Sequence, residues 1–154
     1  MRPTRPGALL AAGFLAAVLV WSLLRVWTAG GGSEPQLLWR STLTIVLLAV
    51  AVLAVGWPVR QWVRGEKARR IDALRAARTA VLAKAAAAAG ALFAGAAAGF
   101  AVHYLPTLGV GARLEQFLVA VADLLASGLL LAAGLVVERY CRVPPDDEGP
   151  GATA

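Results

Sequence analysis

Apolar residues gather into four long runs, and the polar and helix-breaking residues fall between them. The runs extend from about Gly7 to Trp27, Leu37 to Trp57, Val81 to Leu105 and Leu114 to Val137. A helix rising about 1.5 Å per residue needs about 20 residues to cross a hydrocarbon core of about 30 Å. Inside that core each peptide group must be paired, which an α-helix does within a single run. The pattern therefore predicts an all-α membrane protein, with four transmembrane helices in an antiparallel bundle over residues 1–143. A disordered acidic, proline- and glycine-rich tail is expected over 144–154, where nothing apolar remains to bury.

The residues between the runs refine this outline. Three consecutive glycines, Gly30 to Gly32, and then Pro35 mark the first connection as a loop. Pro58 is expected to prevent simple continuation of the second helix, and Pro106 to end the third before a short turn reaching Gly111. Trp21, Trp27, Trp39 and Trp57 stand where interfacial anchors belong. Arg2 and Arg5 before the first run also suit a signal peptide. The residues leading to Thr28 contain no small-x-small cleavage site, so the run is read as a retained span. After Gly65 nothing interrupts a helix, and Ile71, Leu74, Ala77 and Val81 recur at helical spacing. The third helix is therefore expected to extend out of the membrane into the cytoplasm.

Composition agrees with lipid as the solvent. Of 154 residues, 59% are hydrophobic and 16% are charged, against about a quarter charged in soluble domains. The net charge of +6 sits between the apolar runs without an aromatic stacking platform. This predicts a partner in anionic lipid headgroups rather than nucleic acid. The basic surface comprises Arg60, Arg64, Lys67, Arg69, Arg70, Arg75 and Arg78; with Arg2, Arg5, Arg139 and Arg142 it outweighs Arg25, Arg40 and Arg113 on the other side. Positive-inside asymmetry then places both termini in the cytoplasm of a multi-pass protein of the inner (plasma) membrane. Cys141, the single cysteine, should resist a membrane-impermeant maleimide added to intact cells. Labelling there would reverse the orientation or change the number of spans.

Candidate chemistry is sparse. Asp123 falls within the outer half of the fourth run, where a carboxylate costs about 2.5–3.5 kcal/mol to insert and should face the bundle or water. Span midpoints place Ser22 and Thr44 at similar depth, with Arg25 and Arg40 nearer the surface; these five form the candidate intramembrane polar site. Its functional reading is substrate or proton coupling. Its structural reading is a hydrogen-bonding group packed against Thr44 or Ser127. His103 reads as an interfacial residue, and Lys84 can snorkel to the surface. With one histidine and one cysteine, no catalytic, cofactor or metal site is expected.

Ala83, Ala87, Ala91, Gly95 and Gly99 form an i,i+4 stripe that permits close helix approach. Packing within the chain is the plainer use of Ala91, Gly95 and Gly99; a homo-oligomer or a docking face for another membrane protein is the sharper one. Gly128 and Gly134, with Ala126 and Ala133, give the fourth run comparable small surfaces.

The opening MRPTRPGALL, the stretch ARTAVLAKAAAAAGALFAGAAAGF with Tyr104 and Leu105, and the ending VVERYCRVPPDDE together resemble the domain of unknown function 3180. This is a family of small membrane proteins from high-GC Gram-positive bacteria. The resemblance covers nearly the whole chain and implies no activity or catalytic residues. The location of such genes near folate-biosynthesis genes implies a link to folate or pterin metabolism as an expectation. The residues themselves lead to a non-enzymatic accessory or scaffold subunit. The alternative is a small oligomeric transporter or channel subunit built around Asp123.

Overall fold

A computed structural model of the protein describes residues 6–33, 35–63, 73–107, 109 and 111–140, without the side chains of 58–63, 73–77, 112 and 140. These residues form helices α1 (Pro6–Ala29), α2 (Trp39–Val63), α3 (Ala73–Tyr104) and α4 (Gly111–Tyr140), with a 3₁₀ turn at Leu105–Thr107. All four helices are long and apolar enough to cross a membrane.

Why a helix stops is legible at two ends. The carboxyl end of α1 is a Schellman motif: the Gly31 N–H donates to Thr28 O at 3.2 Å and the Gly32 N–H to Trp27 O at 3.1 Å. Gly31 takes the left-handed φ of +79° that this closure requires. At the end of α3, the Thr107 hydroxyl donates to Tyr104 O at 3.1 Å, closing the turn that Pro106 begins. Pro58 behaves otherwise than expected, since α2 continues through it to Val63. A proline there leaves the Ala54 carbonyl without its main-chain donor, a loss that a helix already extended on both sides tolerates as a local defect. At the far side of the gap, α3 begins eight residues ahead of Val81. Its 32 residues give about 48 Å of helix, more than a bilayer core needs.

Consecutive helices run antiparallel, yet the helices do not pack in chain order. The most extensive contact is α3 on α4; α1 lies on α3, and α2 lies mainly on α4. The main chain of α1 approaches neither α2 nor α4 among the described residues. The lateral order is thus α1, α3, α4, α2. Burial follows it: 6% of the apolar window of α1 is buried, against 44% of that of α4. Leu10, Phe14, Leu15, Leu19 and Leu23 are left outward on α1, as suits hydrocarbon.

Both flanking contacts join parallel helices. Leu9 clusters with Ala91, Gly13 lies beside Gly95, and Ala17 lies beside Gly99, the same sequence offset at each level. Likewise Thr42 meets Asp123 and Gly56 meets Val137. Across the central seam the index falls on one helix as it rises on the other, with Gly90 against Leu131 and Gly134 against Ala87. One core cluster joins Ala49 and Val52 of α2, Ala83 and Ala86 of α3, and Leu130, Ala133 and Val137 of α4.

This order forces the first connection across the end of the bundle where α1 and α3 finish. It passes α3, where the Tyr104 hydroxyl donates to Pro35 O at 3.2 Å. It then meets α4, where the Leu37 N–H donates to Gln116 Oε1 at 2.7 Å. Each tie satisfies a main-chain group that no helix pairs.

Candidate functional site

The crossing delivers the first turn of α2 against the amino-terminal half of α4. Asp123 is buried there, 5% exposed. Its Oδ2 lies 2.8 Å from the Ser41 hydroxyl, and its Oδ1 accepts from the Thr42 hydroxyl. The positive end of the α2 dipole adds to the attraction for a carboxylate at this turn. Ser41 Oγ is also 2.7 Å from Leu38 O. A hydroxyl has one proton for these two acceptors. The Ser41 proton is therefore shared between Asp123 Oδ2 and Leu38 O.

Beside this cluster lies a crevice of about 400 Å³ between α2, α3 and α4. Leu37, Arg40, Thr44, Ile45 and Leu48 line it from α2 and the connection before it; Phe93, Ala97 and Phe100 line it from α3, and Asp123 from α4. Its size is in the range of small-molecule sites, and its walls are apolar except at Thr44 and at the end that Arg40, Ser41 and Asp123 line. A second crevice of about 430 Å³, between α1, the first connection and α3, shares Phe100 as a wall.

Of the five candidate polar residues, the fold brings together Asp123, Arg40 and Thr44 on the first crevice. Thr44 is not the partner of Asp123, because its hydroxyl donates to Arg40 O at 2.8 Å. Ser127 is not either: it is fully buried one turn inward, and its Oγ has no partner among the described residues. Ser22 and Arg25 belong to α1, beyond α3 from the crevice; the Arg25 guanidinium lies 5.3 Å from the centre of the Trp21 ring. The residues that do hold Asp123, Ser41 and Thr42, were readable as hydroxyls opening an otherwise apolar run.

The small residues serve packing within the chain. A Cβ at Gly95 would overlap the Gly13 carbonyl oxygen, one at Gly99 would come 2.7 Å from Ala17 O, and Ala91 O lies 3.0 Å from the Cβ position of Gly13. Gly134 packs on Ala87 and Ala83, whereas a Cβ at Gly128 would meet nothing within 4 Å. His103 is half-buried with its ring edge-on to Tyr104 at 5.3 Å, and Lys84 is exposed. Of the basic surface, Arg78 is exposed on α3, Arg60 and Arg75 lie on helices without described side chains, and Arg64, Lys67, Arg69 and Arg70 lie outside the described residues, as do Cys141 and the tail. Among the described residues no group of three His, Cys, Asp or Glu side chains is placed to hold a metal ion.

Compared with known proteins, one family model, described as a protein of unknown function (DUF3180), matches residues 9–145. No curated protein and no solved structure matches.

Proposed function

The chain belongs to the DUF3180 family, and from that premise we propose that this multi-pass membrane protein is a non-enzymatic accessory subunit whose working element is the crevice beside Asp123. The proposal places it in the cell membrane with both termini cytoplasmic, following the distribution of Lys and Arg. One observation carries it: a buried carboxylate, held by two hydroxyls from a neighbouring helix, forms the polar end of an otherwise apolar crevice. Such a group is expensive at this depth if it serves only to join two helices that already share an apolar core. A few polar groups converging on apolar walls are what a binding site needs.

A second reading, a small oligomeric transporter subunit, is favoured by Phe100, whose ring borders cavities on both sides of α3. Asp123→Asn separates the readings. The amide keeps the shape and can still accept from Thr42, so the variant should fold and accumulate near the wild-type level, within about 1 kcal/mol of its stability. In a deletion strain the variant should fail to restore the wild-type pattern of metabolite accumulation or of partner assembly. Restoration of both would overturn the proposal, and unchanged uptake with lost assembly would remove the transport reading. A link to folate or pterin metabolism predicts that those metabolites are among the ones that change.

A further inference from the structure

We infer that the crevice between α2, α3 and α4 binds a zwitterionic phospholipid of the ethanolamine class, with its ammonium on Asp123, its phosphate on Arg40 and one acyl chain along the apolar walls. This rests on the crevice being the working element and names its ligand.

Three features converge on that chemistry. Asp123 lines the crevice, and the two hydroxyls that bond it supply hydrogen bonds but no countercharge. A carboxylate has about four lone-pair sites, so two remain for a donor arriving from the crevice. In a medium of low dielectric a positively charged donor is attracted far more strongly than a neutral one.

Arg40 immediately precedes Ser41 and lines the same end. Its side chain is exposed and pairs with no carboxylate among the described residues. Arg40 and Asp123 line one crevice from different helices, and two opposite charges on separate walls are complementary to a headgroup carrying both signs rather than to a simple anion or cation.

From this charged end the crevice runs past Ile45 and Ala97 to Leu48 and Phe93. The helical rise from Arg40 to Leu48 makes that length about 12 Å. A slot parallel to the helices, open at the side and apolar beyond Thr44, takes an extended hydrocarbon chain entering from the bilayer. The charged end faces the surface crossed by the first connection, as a headgroup requires. A water-soluble ligand would gain nothing from the apolar wall that Ile45, Leu48, Phe93 and Ala97 provide.

The test uses the full chain purified in detergent, stripped of lipid and titrated, with native mass spectrometry as the readout. The probes are phosphatidylethanolamine and phosphatidylglycerol with identical acyl chains, which differ in the ammonium. The wild-type chain should prefer the ethanolamine lipid by about tenfold. Asp123→Asn should abolish the preference, and Arg40→Gln should weaken both lipids alike. Leu48→Trp, at a half-exposed position on the crevice wall, should weaken both by filling the chain slot while leaving the headgroup residues intact. Equal affinity of the wild type for the two lipids would overturn the inference, as would a preference that survives Asp123→Asn or binding unmoved by Leu48→Trp. The reading of the crevice as the working element fails separately, through full complementation by Asp123→Asn in cells.

Discussion

Substituting Gly95 by leucine is expected to detach α1 from α3 while leaving the other three helices associated. A single added Cβ at Gly95 already overlaps the main-chain oxygen of Gly13 and comes within 3.0 Å of the Ala16 Cβ. Main-chain atoms of a helix cannot rotate aside as a side chain does, so α1 must move outward as a body. Little opposes that motion. Hydrocarbon solvates the freed face as well as α3 did, so helix association in lipid depends on close van der Waals approach and not on burial. Apart from α3, the main chain of α1 approaches no helix among the described residues. Overpacking of this kind costs about 1–3 kcal/mol, and more where only backbone can yield. Thermal unfolding in detergent should report a midpoint lowered by about 5 °C or more. Gly128→Ala is the control, since its Cβ meets nothing within 4 Å and alanine favours helix by about 0.5–1 kcal/mol. If both variants melt with the wild type, the parallel α1–α3 contact is wrong. Because the crevice lies on the other side of α3, Gly95→Leu should also retain whatever ligand binding the wild type has.

The four spans were legible because the cost of an unpaired peptide group in hydrocarbon leaves a long apolar run one solution. The stripe of Ala91, Gly95 and Gly99 was legible as a close-packing face for a similar reason, although its partner, α1, was not. Nothing along the chain distinguishes a neighbour in sequence from a neighbour across the bundle. The lateral order α1, α3, α4, α2 depends on which small residues face which, through Gly13, Gly95, Gly90 and Gly134 together. The partners of Asp123 were missed by less than one helical turn. Aligning span midpoints sets Thr44 level with Asp123, whereas the parallel register of α2 on α4 sets Ser41 and Thr42 there. The first connection causes this offset, since it passes Tyr104 and Gln116 before α2 begins. Ser22 shares neither depth nor side with Asp123: the parallel register of α1 on α3 sets it level with Tyr104, beyond the level of Asp123, and α3 stands between them. Pro58 misled because the rule that proline stops helices is weakest once a helix has regular turns on both sides.

Gly134→Ala is expected to do more damage than an alanine at Gly95, although it adds the same methyl group. The new Cβ would lie 2.6 Å from Ala87 N, 2.7 Å from Ala83 O and 2.9 Å from Ala87 Cα, all main-chain atoms of α3. Gly90 on the facing helix is equally close, its Cβ position 2.5 Å from Leu131 N and 2.8 Å from Leu131 Cα. The two glycines thus form a reciprocal pair across the antiparallel seam, and relief at one tightens or opens the other. Unlike α1, neither helix can leave. The seam carries the core cluster that also receives α2, through Ala49 and Val52. Moving α4 outward withdraws support from α2, and with it the turn that presents Ser41 and Thr42 to Asp123. Gly134→Ala should therefore lower the unfolding midpoint further than Gly95→Ala and also lose lipid binding in the crevice, which Gly95→Ala should keep. Equal midpoints for the two variants, with binding intact in both, would mean that α3 and α4 are not the centre of the bundle.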